Sequence, residues 1–401
     1  MLAATPVEGV QGRVTPGFDP VAHAFAEVLA DGGEAGAAFA ATHDGELVVD
    51  LWGGWADRRK HRRWEADTVA GIFSGSKGLV AVCMLMLLDR GLLELDAPVA
   101  RYWPEFAAEG KHGVLVRHVV SHTAGLPGVL TPVDATEVLD DRDMAARLAL
   151  QPPTFPPGER LCYHALTFGW LCGELVRRVD GRSIGRFFAE EVAGPLQLDA
   201  WIGLPAEHEP RVATLQFAED WGAAATPYTD PERANDPLAI AIYRNPPRLE
   251  PGATPWRARA WHAAEIPATN AIVSARSLAR LYGCLARGGE LDGVRLMSGE
   301  RVAQARACLA HGTDPFLGRP VAYGVGFEIE GPQRPFGRPR DGFGHRGAGG
   351  SVHGAWPGLR VGFSFVTNLL RDGVLPDPRG RALLDALYDA VTANAPKGTL
   401  A

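Results

Sequence analysis

The feature that most limits what this chain can fold into is the ten-residue run Leu79 to Leu88, apolar at every position and closed by Asp89. A helix apolar on all faces offers no side to water, so other elements have to enclose it. Ten residues are also too few to cross a bilayer, which takes roughly 20. The run therefore predicts a buried helix over 76–92, stopping near Gly91. With 401 residues the chain can build a core of that kind, and its length corresponds to two or three domain-sized units.

The ends of the chain carry the strand signals. Val21, Phe25, Val28 and Leu29 recur at helical spacing over 20–31, before Asp31-Gly32-Gly33. Two strands follow, Ala37–Ala41 and Glu46–Trp52, joined by His43-Asp44-Gly45. Near the C-terminus, Tyr323–Ile329, Ser351–Ala355 and Arg360–Asn368 read as strands, and about 380–393 as a last helix. Between the two strand groups the periodicity is helical, at 114–121, 165–180, 183–193 and 277–287. Strands at both ends with helices between predict one sheet assembled from the two termini, carrying a helical insertion. The stretch Asn245 to Pro255 holds four prolines and little periodicity, and predicts a surface excursion that walls a cleft.

The chemistry concentrates at the head of the apolar run, in Phe73-Ser74-Gly75-Ser76-Lys77. Residues i and i+3 share a helix face, which brings Ser74 and Lys77 within reach of each other. Burial near a helix N-terminus favours the neutral, basic form of a lysine, and the same terminus offers N–H groups to an oxyanion. Read alone, the pattern is also that of a serine cap with a solvated lysine. Two further segments add to it. Tyr163 sits between the turn at Pro157-Gly158 and a helix, placed to relay a proton. Gly342-Phe343-Gly344-His345-Arg346-Gly347-Ala348-Gly349-Gly350-Ser351 enters a strand, where glycines let an acyl group lie close to backbone.

In this order and spacing, Ser74-Gly75-Ser76-Lys77, Tyr163-His164-Ala165 and His345-Arg346-Gly347 resemble the motif trio of class C β-lactamases, penicillin-binding proteins and family VIII carboxylesterases. Val49 to Asp57, Ser121 to Leu126 and Asn270 to Tyr282 also look like segments of that superfamily, so the resemblance covers nearly the whole chain. It implies a β-lactamase/transpeptidase-like α/β (α+β) fold. An antiparallel sheet flanked by helices would use residues 1–74 and 266–401, and a mostly helical inserted domain residues 75–265. It implies Ser74 as nucleophile, Lys77 as base for acylation and Tyr163 as the shuttling acid and base. The backbone N–H groups of Ser74 and Ala348 would form the oxyanion hole, and Ala165, His345, Gly347 and Gly349 would meet the substrate. No cofactor is implied.

Two positions depart from the lactamase pattern. Ala165 stands where an asparagine usually contacts the antibiotic's side-chain amide, and His345 where a lysine is typical. Both lean the reading toward short-chain carboxylic esters. Amide or lactam hydrolysis, acyl transfer from the same serine, and a silent ligand-binding relative stand as alternatives.

Other signals exclude more than they suggest. A net formal charge of -7 gives no broad basic field for nucleic acid, and the run Arg58 to Arg63 reads as a solvated loop or edge. The five cysteines are odd in number, widely spaced and set among apolar residues. With no signal-like N-terminus, they point to reduced core thiols and the cytoplasm. Gly181-Arg182-Ser183-Ile184-Gly185 matches a nucleophile elbow, but a helix precedes it where a strand is required, so Ser183 reads as a helix cap. His118 and His122 have metal-compatible spacing without a third ligand nearby, and no metal is expected. The expected partner is a small ester or amide; oligomeric state is not legible.

Overall fold

The computed structural model describes residues 3–4, 7–33, 35–219, 221, 230–247, 254–372 and 376–394. Its scaffold is one antiparallel sheet of eleven strands among those residues. The spatial order runs Ala3–Ala4, Gln11–Val14, Glu46–Asp57, Gly36–His43, Val361–Thr367, Val352–Trp356, Phe343–Arg346, Glu328–Ile329, Pro320–Tyr323 and Ala310–Thr313, with Arg62–Arg63 paired to Glu46–Asp57. The two termini meet at its centre, where Phe365 faces Phe39 and Phe39 in turn faces Leu51.

Helices cover both faces of this sheet. Val21, Phe25 and Val28 of the first helix (Asp19–Asp31) and Leu383, Leu387 and Val391 of the last (Pro378–Asn394) pack on Phe39, Leu51, Phe363 and Phe365. Burying side chains of this size contributes about 1.5–3 kcal/mol each. On the opposite face lies the helix Ala275–Ala286, and glycine decides how close it comes. A Cβ on Gly362 would stand 2.1 Å from Gly283 N, so this contact admits no side chain.

The chain leaves the sheet beside the predicted nucleophile. Ala70–Gly71 pairs with Ile272–Val273, which pairs in turn with Ala200–Trp201, forming a small sheet at the junction. The segment between them is mainly helical, with Ser76–Asp89, Asp141–Leu150 and Thr167–Asp180 as its longest α-helices. Every residue from Ser76 to Leu88 is buried, as the unbroken apolar run required.

Several expectations need correction. The strand expected over Tyr323–Ile329 is two strands, Pro320–Tyr323 and Glu328–Ile329. Gly324-Val325-Gly326 breaks it: Gly326 has φ +74, and a Cβ on Gly324 would stand 2.0 Å from Ala305 O. The expected helix 183–193 is α-helical only through Phe188 and then widens into a π-turn over Ala189–Ala193. The glycine-rich segment does not lead into its first strand. Phe343–Arg346 is itself a strand, and Gly347 to Gly350 form the turn to Val352–Trp356. Four cysteines are buried, but Cys308 is exposed, because it lies in the connection before Ala310–Thr313. The proline-rich excursion is described only in part, residues 248–253 lying outside the described residues. Among those residues no helix is long and apolar enough to cross a membrane.

Candidate active site

Ser74 lies in a single 3-10 turn, Phe73–Gly75, at the head of the buried helix. Phe73 enters that turn at φ +47, a conformation that costs a bulky residue energy and persists only where its surroundings hold it. The hold is visible: Ser76 Oγ donates to Phe73 O at 2.5 Å and accepts from Ala271 N–H at 3.0 Å. Beneath the turn, a Cβ on Gly75 would come within 2.7 Å of the His353 ring. Ser74 itself is half-buried.

Lys77 follows one turn later and is fully buried. Its Nζ donates to Ser74 Oγ at 3.2 Å, to Ala165 O at 2.8 Å and to Ala268 O at 3.0 Å. Two carbonyls from distant loops thus aim the amine at the serine. The Tyr163-His164-Ala165 segment is tied to this helix through that Ala165 carbonyl, and Lys77 Nζ lies 4.7 Å from the Tyr163 ring centre. His345 reaches the same cluster, its ring 6.3 Å from that of Tyr163. Gly347 lies against the entry to the Ser74 turn: a Cβ there would stand 2.2 Å from Ile72 O. Ala348 is half-buried against the core, and Gly349 (φ +83) leaves no room for a side chain beside Leu370. The structure therefore brings Ser74, Lys77, Tyr163, Ala165, His345 and Gly347 together.

The electrostatics are set by burial. His345 Nδ1 donates to Arg346 O at 2.9 Å, while Nε2 has no hydrogen-bond partner among the described residues. Burial, and then the charge of Lys77, hold this imidazole at about 3, so it is neutral at pH 7. His164 is held at about 4 by burial, partly opposed by the hydrogen bond to the Cys162 carbonyl. On the neighbouring strand, burial pushes Glu328 up, but the Arg346 and Arg319 guanidiniums outweigh it and bring the carboxyl to about 2.

The decoys separate from this cluster. Ser183 Oγ accepts from Arg186 N–H and donates to Glu265 at 2.7 Å, as a cap does. His118 Nδ1 accepts from Leu115 N–H at 3.2 Å and His122 Nδ1 from His164 N–H at 3.1 Å, so the two rings serve different backbones. Asp314, Tyr323 and His122 support Tyr163 in a way the sequence does not announce, His122 being legible only for its spacing from His118. Asp314, fully buried, accepts from Tyr163 N–H at 2.6 Å across 151 positions. Tyr323 stacks on Tyr163 at 6.1 Å, and His122 packs against both. The Asp314-Pro315 dipeptide is a turn signal, but nothing local says which distant N–H it will hold.

Comparison with known proteins gives a consistent result. The family model described as Beta-lactamase matches residues 21–388. The chain is 37% identical to the Esterase/beta-lactamase LipL of Mycobacterium tuberculosis, over 97% of this chain and 90% of that protein. A penicillin-binding protein homolog from Caulobacter crescentus superposes with a TM-score of 0.86 at 37% identity, covering 95% of this chain and 99% of that one. A family VIII carboxylesterase superposes with a TM-score of 0.87, also at 37% identity and the same coverages.

Proposed function

The chain belongs to the β-lactamase family, and on that premise we propose that Ser74 is the acyl-accepting nucleophile with which it hydrolyses short-chain carboxylic esters. It is a serine hydrolase of the carboxylesterase type. The observation that carries the site assignment is the hold of the Ala165 and Ala268 carbonyls on Lys77 Nζ, which directs it at Ser74 Oγ.

In acylation the neutral amine of Lys77, its two N–H groups on the Ala165 and Ala268 carbonyls and its lone pair toward Ser74 Oγ–H, takes the Ser74 proton with Tyr163 as Oγ attacks the ester carbonyl. The N–H groups of Ser74 and Ala348 receive the developing oxyanion, and Tyr163 returns the proton to the departing alcohol. Water, deprotonated by the same pair, then releases the acid and regenerates Ser74.

Preference for esters over lactams rests on what is missing from the site. Ala165 offers no side-chain partner to an antibiotic's amide, and the neutral His345 offers no charge to its carboxylate. The name of the Mycobacterium tuberculosis relative pairs esterase with β-lactamase, which favours lactam hydrolysis as the second reading. The four buried free thiols support a reducing compartment such as the cytoplasm.

A fluorophosphonate probe followed by peptide mass spectrometry tests the assignment. The adduct is expected on Ser74, and p-nitrophenyl acetate and butyrate turnover should disappear in step with labelling. Labelling elsewhere, or full activity after labelling, would remove Ser74 from the mechanism.

A further inference from the structure

A cavity opens beside Trp256, whose ring meets that of Phe73. Its volume is about 310 Å³, within the usual range of small-ligand sites, and its wall includes Asp57, Lys60, Arg62, Glu209, Trp256 and Arg257. Ser74, Lys77 and Tyr163 do not line it. The two carboxylates are already engaged. Asp57 accepts from Thr214 Oγ1 at 2.8 Å and from Lys60 N–H at 3.2 Å, with Lys60 Nζ 3.8 Å away. Glu209 meets His262 Nδ1 at 2.8 Å and Arg259 Nη1 at 3.5 Å.

The two guanidiniums are differently placed. Arg62 Nη2 donates to Val212 O at 2.5 Å, and Arg257 Nε and Nη2 donate to Leu215 O at 3.3 and 2.9 Å. Each fork is thereby pinned by one side to the same extended segment. Its other N–H groups have no hydrogen-bond acceptor among the described residues, although the charge of Arg62 also acts on Asp57 across the strand pair. Guanidinium forks match planar oxyanions, and an indole beside them suits an apolar body. Trp256 supplies that surface, and its far side meets the Phe73 ring edge-on at 6.1 Å. A narrower cavity of about 30 Å³ shares Trp256 and His262 with the larger one and reaches Phe73, the residue before Ser74.

We propose that the larger cavity binds organic carboxylates with a short apolar or aromatic tail, at a site separate from Ser74. The carboxylate sits between Arg62 and Arg257, and the tail lies against Trp256. The acid released by ester hydrolysis belongs to this class, as do unrelated aliphatic and aromatic acids; binding itself does not depend on the esterase reading.

Isothermal titration of the full chain with sodium butyrate and with sodium benzoate, at constant ionic strength, tests this. Saturable binding is expected for Ser74→Ala as for wild type. The affinity should fall at least about tenfold in R62Q/R257Q, and R257K should recover part of what R257Q loses. Arg63→Gln, outside the cavity, should leave it unchanged. Butyrate stronger than benzoate would identify the reaction's own product class as the source, and the reverse an aromatic acid. Should the double variant fail to fold, R257Q alone carries the comparison, since Arg257 is exposed. No saturable binding by wild type, or equal affinity in wild type and the arginine variants, overturns the proposal. So does sodium sulfate competing as strongly as the carboxylates.

Discussion

Lys77 Nζ sits 4.7 Å from the centre of the Tyr163 ring while donating to Ser74 Oγ at 3.2 Å. One nitrogen thus lies beside both groups, and removing either side of the pair should disarm the other. Lys77→Ala and Tyr163→Phe should each depress acylation strongly, and the double variant should be little worse than the more damaged single one. Pre-steady-state burst kinetics measure this; strictly additive losses would mean two independent groups.

Ser74→Ala should abolish ester turnover while leaving the thermal melt close to wild type. Ser183→Ala loses a cap and the bond to Glu265, and should cost about 0.5–2 kcal/mol of stability with activity retained. The opposite assignment of losses would move the nucleophile to Ser183.

Gly75 should tolerate no side chain. Its Cβ would stand 2.7 Å from His353 Cδ2 and 2.9 Å from Nε2, so Gly75→Ala must push the Ser74 turn or the ring aside. A displacement near 1 Å at the nucleophile costs about a hundredfold in kcat. Adding His353→Ala should restore much of that rate. If the double variant is no better than Gly75→Ala, the clash with the imidazole is not what displaces the turn.

For substrate choice, kcat/KM for p-nitrophenyl butyrate should exceed that for nitrocefin by at least about two orders of magnitude. Part of that ratio is the ester's own reactivity. Ala165→Asn isolates the rest, since one restored neutral hydrogen bond is worth roughly 0.5–1.5 kcal/mol, about three- to tenfold, to the lactam alone. Equal gains on both substrates would take Ala165 out of specificity.

Acid should unfold this protein early. His345 and His353 are held at about 3 and His164 at about 4, chiefly by burial, against 6.5 for an ordinary histidine. Between about pH 6.5 and 4 the unfolded chain therefore binds more protons than the folded one, and stability falls as pH falls. Above that window the rings are neutral in both states and contribute nothing. Each contributes up to about 1.4 kcal/mol per pH unit. The urea midpoint should drop steadily from about pH 6.5 to 4, and His353→Phe should flatten the slope; a constant midpoint would contradict buried neutral rings.

What the sequence determined by itself was local. The unbroken apolarity of Leu79 to Leu88 requires enclosure, the i, i+3 spacing puts Ser74 and Lys77 on one face, and His43-Asp44-Gly45 closes the hairpin. The motif trio pointed to the same family that the whole-chain comparisons show. Reading Ser183 as a cap was equally local, because a cap needs only its own first turn. Tertiary structure decided everything that depends on which distant groups meet. It breaks the strand expected over Tyr323–Ile329, because Gly324 must lie against Ala305. It recruits Asp314 to the backbone of Tyr163, and it aims Lys77 with carbonyls from residues 165 and 268. Above all it sets the charge of His345, for an imidazole's protonation follows its burial and its neighbours. A linear sequence names the titrating group, but only the packed interior sets the dielectric and charges around it.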